Sequence, residues 1–507
     1  MSIGRRVAVN AGAAFGNQAA LSAVGLFATA VFVRVLGAER FGGWGLIVGC
    51  VACASLFDLG LGVALVRRVA AAREDHDEEA ARRAAGAALW ASAWLGLVAA
   101  ALVGAIAAPL AGWLHVPAAH RDEFVLALRI AGIGAGLTVP SIPLGAVPTA
   151  LHRLDSVLRL ELVVTAAMMM TQVVVVLAGG GVIGLATALL AARAASLAGR
   201  YVLARRMLGA LPVAIGGYPL WAELGRFGAL KAVHQLSSQL VLYLDRFLVG
   251  AFLSVEAVAY YTVAVELAQR LLALQANVSV AFYPAACALA RDPGALAALY
   301  QRTSRVVALL IFPAALALLF LVAPLLTLWV GPEYAVHSAG VLRLLAVGYA
   351  LMALAAIPAG TADALGRPDL CARYGLASLG INVILSLILI PRFGLLGAGW
   401  ALVGNVLLQQ PFFLRTVTVG LVGIPLGAYA RRAILEPLAA SLAMGAAVAP
   451  VAFGALRERP LAALATAVVG AGLLAATVRL TGFFDASERA FVSGLPGGRV
   501  LRLLTGP

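Results

Sequence analysis

Long apolar runs, separated by short polar or glycine-containing breaks, follow one another along almost the whole chain. They read as spanning helices at about 8–36, 43–66, 84–112, 123–148, 159–178, 182–204, 226–250, 255–284, 304–330, 338–361, 371–391, 396–419, 431–455 and 460–480. That makes about fourteen crossings, each near the ~20 residues a bilayer requires. The short alternating segments of a membrane β-barrel are absent. The pattern predicts an all-α, polytopic membrane protein.

One stretch carries an anomaly. Residues 34–68 begin with a turn, Gly37-Ala38-Glu39-Arg40, then Trp44 and a long apolar run closed by Arg67 and Arg68. Asp58 interrupts that run. A carboxylate inside a bilayer is costly unless it faces protein or water, so Asp58 is a candidate functional group.

Composition sharpens the class. Of 507 residues, 63% are hydrophobic and 12% charged, against about 25% charged in a soluble domain. The net charge is +14, carried by arginine; Lys231 is the only lysine. The arginines sit between apolar runs, so positive-inside topology explains them better than nucleic-acid binding. Alternate connections hold Arg67, Arg68, Arg73, Arg82 and Arg83, then Arg153 and Arg159, Arg200, Arg205 and Arg206, Arg291, Arg302 and Arg305, Arg367 and Arg373, Arg415, Arg431 and Arg432, and the tail. This bookkeeping predicts cytoplasmic termini; Arg457 and Arg459 run against it. The intervening connections are short, which argues against a large extracytoplasmic domain. The first apolar run is too long for a cleavable signal peptide and reads on as a span. Cys50, Cys53, Cys287 and Cys371 lie in apolar segments and read as packing residues.

An internal repeat organises the chain. Leu151-x-Arg153-x-Asp155 recurs as Leu365-x-Arg367-x-Asp369, Gly181-Val182-Ile183-Gly184 as Gly394-Leu395-Leu396-Gly397, and Glu39…Trp44 is echoed by Glu256…Tyr261. The nearly constant offset implies a unit of about six spans. An even number keeps both halves in one orientation, a parallel repeat of the kind found in alternating-access transporters. The expected lobes are 1–208 and 220–419, followed by an extra helix pair at 430–480 and a tail at 481–507.

Polar groups inside the spans are the candidate site. Arg193 lies about 11 residues into its span, hence ~16 Å deep, and Ser196 and Arg200 share its face. Glu266 and Arg270 are spaced for an ion pair on one helix. Lys231, His234, Ser238 and Asp245 mark a polar stripe along the seventh span, with Gln235 and Gln239 beside it. Arg34, Arg129, Arg246 and Arg343 lie near enough to a surface to snorkel. Asn17 and Gln18 suit interhelical hydrogen bonds. For Glu266–Arg270 a structural pair competes evenly with a substrate site, and Asp58 could equally anchor a helix interface. No enzyme constellation emerges. Gly179–Gly181 lacks the lysine and strand of a phosphate loop, and the histidines are too scattered for a metal site. Neither cofactor nor metal is expected.

The segment LGAERFGGWGLIV…LFDLGLGVALVRR resembles the first-to-second helix signature of the polysaccharide transporter family, the Wzx-type O-antigen flippases of the multidrug/oligosaccharidyl-lipid/polysaccharide exporter superfamily. Residues 226–264 resemble its seventh and eighth helices, with Asp245-Arg246-Phe247 and Tyr260-Tyr261 as landmarks. The resemblance covers roughly 1–420. It implies two six-helix lobes and a flippase for undecaprenyl-pyrophosphate-linked oligosaccharide in a bacterial inner membrane. Arg193, Arg270, Lys231, Arg34 and Arg200 would then contact substrate, with Asp58, Glu266 and Asp245 as counter-charges or coupling groups. Polysaccharide polymerase and glycosyltransferases would be partners. Within the same superfamily, a lipid II flippase and a drug/cation antiporter stay open; the antiporter would prefer an acidic cavity and about twelve helices. A membrane glycosyltransferase would need a metal or base site and a sizeable loop, neither of which is visible. A scaffold would have no need of interior charges.

Overall fold

The computed structural model describes residues 3–54, 57, 61–151, 153–209, 218–453 and 460–480. The side chains of residues 3–20 and 218–232, among others, lie outside that description. So do Asp58, the tail 481–507 and the pair Arg457 and Arg459. Every regular element among the described residues is helical. Nine of these helices are long and apolar enough to cross a bilayer, or ten counting one bent pair. The protein is a multi-pass membrane protein.

The chain divides into two compact units, Ala20–Ala259 and Met1–Ala19 with Tyr260–Pro507. The first unit holds most of α1 (Ile3–Ala54), with α2 (Leu61–Glu74), α3 (Glu78–Trp113), α4 (Ala118–Ala150), α5 (Leu154–Leu177), α6 (Gly181–Leu208) and α7 (Tyr218–Phe252). α1 kinks at Gly37, whose φ of 76° lies where glycine is favoured. This is the turn read from Gly-Ala-Glu-Arg. Of the span expected at 43–66, the described residues place 43–54 in α1 and 61–66 in α2.

Small residues set the packing of this unit. α3 and α4 cross where Gly96 faces Gly136. A methyl on Gly96 would lie 2.3 Å from the Gly136 carbonyl oxygen, and one on Gly136 would lie 2.6 Å from that of Gly96. Such backbone approach replaces the hydrophobic driving force that lipid cannot supply. α4 stays helical through Pro140, Pro143 and Pro148, as membrane helices tolerate when neighbours satisfy the freed carbonyls. Farther along the same helix, Thr149 Oγ1 donates to Gly145 O one turn back at 2.9 Å. Asp77 caps α3, its carboxylate accepting from Ala80 N–H at 2.8 Å. On α3, Trp94, Leu97 and Trp113 are exposed, an apolar surface suited to lipid.

The second unit contains α8 (Val255–Ala268), whose first turns are assigned to the first unit, then α9 (Arg270–Ala288), α10 (Pro293–Trp329), α11 (Pro332–Ala353), α12 (Ala356–Ala364), α13 (Pro368–Phe393) and α14 (Leu395–Arg415). It continues with a π-helical turn at Thr416–Leu421, α15 (Leu426–Tyr429), a second π-helical turn at Ala430–Leu435, α16 (Glu436–Phe453) and α17 (Pro460–Leu480). The expected runs 255–284 and 338–361 lie within the single spans Val255–Ala288 and Pro332–Ala364, whose hydrogen-bond register changes at Gln269 and at Leu354–Ala355 while the backbone keeps right-handed helical angles. Beyond 396–419 the chain bends by 111° between Leu395–Leu421 and Leu426–Leu442. Asn405 Nδ2 donates to Ser378 Oγ at 3.0 Å, tying α14 to α13 inside the core. Tyr300 and Thr418 share a hydroxyl hydrogen bond of 2.7 Å, which pins α10 to the first π-helical turn.

The repeated motifs fold alike. Arg153 precedes α5 with φ −111° and ψ 36°, and Arg367 precedes α13 with φ −114° and ψ 51°. Each backbone N–H donates five residues back at 2.8 Å, to Pro148 O and Ala362 O. Gly181 and Gly394 both take positive φ, 57° and 60°, at the entry to α6 and α14.

Candidate functional site

The charged face of α6 assembles around a residue the spacing arguments did not single out. Glu161 on α5 turns one carboxylate oxygen, Oε1, toward α6. Ser196 Oγ donates to it at 2.6 Å and Arg200 Nε at 3.0 Å, with Arg200 Nη2 also at 3.0 Å. The remaining Arg200 nitrogen, Nη1, donates to Ser141 O on α4 at 2.9 Å. Arg200 thus joins three helices. α4 makes room for it with Gly145, where a methyl would lie 2.7 Å from Nη1. All three guanidinium nitrogens are engaged, which makes Arg200 a clamp between helices.

Arg193, two turns earlier on the same face, is placed differently. It is half-buried, and its Nε is buried with no hydrogen-bond partner among the described residues. Its side-chain stem packs toward Gly134 of α4. Glu161 and Arg200 are the charged groups within its electrostatic reach. A buried guanidinium N–H left open is expensive, so Arg193 is equipped to take a further acceptor. Paired forks of N–H donors suit phosphate oxygens.

In the second unit, Glu266 and Arg270 are both half-buried and neither is free. They flank the one-residue register change between α8 and α9. Gln269 at that point donates from Nε2 to Tyr349 Oη on α11 at 3.3 Å. The span continues through Gln269, and this bond ties the turn between Glu266 and Arg270 to α11.

On α7, Asp245 and Arg246 are both buried, at 3% and 4% exposure. The expectation that Arg246 snorkels is corrected: its guanidinium carbon stands 5.1 Å from the Tyr243 ring centroid, one turn back, and the π-face replaces water as its partner. Asp245 also has a partner. Arg34 and Arg129 are exposed, as is Arg343, whose Nε donates to Leu319 O at 3.3 Å. The side chains of Lys231, His234, Gln235, Asn17 and Gln18 lie outside the described residues, as does Asp58 altogether.

A second unforeseen cluster closes the N-terminal end of α6. Glu123 on α4 accepts the Val182 N–H at 2.9 Å with one oxygen and Arg40 Nε at 3.0 Å with the other. His120 Nε2 lies 3.3 Å from Glu39 Oε2. A carboxylate at a helix N-terminus meets unsatisfied amides and the positive end of the dipole. No sequence signal marked Glu123 or Glu161, because each meets its partner across a separation of dozens of residues. No group of three or more potential metal ligands occurs among the described residues.

Comparison with known proteins gives three likenesses. The model of the family described as "Polysaccharide biosynthesis protein" matches residues 31–339. A "Putative O-antigen transporter" of Shigella flexneri is 22% identical, over 76% of this chain and 92% of its own length. Among solved structures, the lipid II flippase MurJ in an inward closed conformation superposes with a TM-score of 0.75 and 12% identity. It covers 91% of this chain and 97% of its own. An inward-facing multidrug resistance MATE family transporter of the MOP superfamily gives 0.69 and 14%, over 79% of this chain and 94% of its own. At these identities the structures speak for the fold alone.

Proposed function

This chain belongs to the polysaccharide biosynthesis protein family, and we propose from that premise that it is a flippase for undecaprenyl-pyrophosphate-linked oligosaccharide. It is a multi-pass membrane transporter; the cargo and the mechanism are our reading. The observation that carries the reading is Arg193, a membrane-embedded guanidinium with a buried, unpartnered Nε. An anionic head group supplies an acceptor and the opposite charge together, which a neutral or cationic drug does not.

In this reading Arg193 and Arg270 hold pyrophosphate oxygens by charge-assisted bonds, and Lys231 and Arg34 extend the basic path. Arg200 keeps α6 in register rather than touching cargo, because its nitrogens are already engaged. Glu266, Asp245 and Asp58 are counter-charges or coupling groups. The lobes 1–208 and 220–419 rock to alternate access, while the lipid tail stays in the bilayer. The setting is a bacterial inner membrane with both termini cytoplasmic, and glycosyltransferases and a polymerase act on either side of the transport step.

The test replaces Arg193 and Arg270 singly with Ala, confirms normal membrane levels and measures surface polysaccharide. Loss of export is expected in each. Unchanged export in both variants, with cell-wall synthesis also unchanged, would sink the phosphate role. If the cargo is instead lipid II, the same variants leave surface polysaccharide intact and compromise cell-wall synthesis.

A further inference from the structure

We propose that Glu161 is the counter-charge that limits how tightly Arg193 holds an anionic cargo, and so governs its release. The inference rests on the reading of Arg193 as a phosphate-binding group.

A carboxylate on α5 needs a reason. Glu161 is the last charged residue of the span Asp155–Leu177, beyond Asp155 and Arg159 and next to an uncharged run, and an ionised group inside a membrane is costly unless it has a task or a partner. A helix clamp with Arg200 is one sufficient reason. Two features exceed it. All the bonds to Glu161 converge on Oε1, so Oε2 makes no hydrogen bond among the described residues, and the carboxylate carries its negative charge on that side without a bonded partner. Ser196, which holds Oε1 at 2.6 Å, is one turn beyond Arg193 on the same face of α6. That places the carboxylate beside the open guanidinium, within its electrostatic reach.

The local count is two cations, Arg193 and Arg200, against one anion. With Glu161 ionised the face carries a net single positive charge, enough to attract a phosphate and weak enough to let it go. Without that charge, two guanidiniums act unopposed. In a medium of low effective dielectric, one unit charge on a neighbouring helix changes the affinity for an anion on the order of tenfold. A transporter that binds its cargo more tightly by that factor dissociates it more slowly and turns over less often.

The experiment uses the full-length protein in detergent, titrated with inorganic pyrophosphate, together with surface polysaccharide measured in cells. Glu161→Gln keeps the acceptor for Ser196 and removes the charge. It should bind pyrophosphate on the order of tenfold more tightly and yet export less at normal membrane levels, with Glu161→Asp restoring both. A residue that only braces helices gives weaker or unchanged binding when altered, and that result overturns the inference. Should Glu161→Gln fail to accumulate, Arg200→Gln provides the opposite sign: Glu161 then acts unopposed on Arg193, and binding weakens. Unchanged affinity in Arg200→Gln also overturns the inference. Arg193→Ala separates the two levels of the argument. If it leaves pyrophosphate binding intact, the cargo role of Arg193 falls. If it weakens binding while Glu161→Gln does not tighten it, only the role of Glu161 falls.

Discussion

Gly42 and Val255 meet backbone to backbone: a methyl in place of the Gly42 hydrogen would stand 1.9 Å from the Val255 carbonyl oxygen. The same methyl would lie 3.2 Å from Ala259 N, at the position that the Glu39…Glu256 offset makes equivalent to Gly42. Helix α1 after its kink therefore presses on the start of α8 with no side chain between them. Gly42→Ala should shift these helices apart and destabilise the protein by ~1–3 kcal/mol, the usual scale of overpacking. A lowered thermal midpoint in detergent and reduced export are expected. A midpoint equal to that of the wild type would contradict the close approach.

Glu161 and Arg200 should behave as one unit. Either single change to Ala leaves the other charge poorly compensated inside the membrane, whereas the double change removes both. A double-mutant cycle on thermal stability should show a coupling energy of ~0.5–3 kcal/mol. The pair is partly exposed, at 18% and 29%, which argues for the lower part of that range. Additive single effects would show that the observed bonds contribute nothing.

Glu123 performs two tasks that substitution separates. Glu123→Gln retains an oxygen for the Val182 N–H and gives up the ion pair with Arg40, so a loss of at most ~1 kcal/mol is expected. Glu123→Ala also uncaps α6, adding roughly 0.5–2 kcal/mol. Hydrogen exchange at the first turn of α6 should rise in the alanine variant and change little in the glutamine one.

Tyr300→Phe tests the π-helical turn at Thr416–Leu421. Its hydroxyl bonds Thr418 Oγ1 at 2.7 Å, and its ring lies 5.4 Å from that of Tyr429. The variant keeps the ring contact and loses the hydrogen bond. A destabilisation of about 1 kcal/mol is expected, read as a lower midpoint with export retained.

The helices were legible because a membrane span must be a long apolar run, and few other structures satisfy that demand. The turn at Gly37 was legible for a local reason, a glycine beside a charged pair. The register changes at Gln269 and at Leu354–Ala355 were not, because neither carries Gly or Pro, while α4 holds three prolines and stays continuous. Gln269 bonds Tyr349 on α11, a partner that the local sequence does not show. The site was half legible. Arg193 announced itself as a charge deep in a span. Glu161 did not, because it lies close to the start of its own span, two residues after Arg159, and its meaning comes from α6. Arg246 looked free to reach water until Tyr243 was seen beneath it.

Ser141, Gly145, Glu161 and Arg200 sit on three successive helices and work as a set, because the guanidinium fits only where position 145 lacks a side chain and position 161 supplies a charge. This sets a rule for building chimaeras with related transporters. A crossover between α4 and α5 would unite one parent's guanidinium with the other parent's floor, and one between α5 and α6 would exchange the counter-ion as well. Exchange points before residue 141 or after residue 200 keep the set intact, and hybrids made there should accumulate where those cut through it do not.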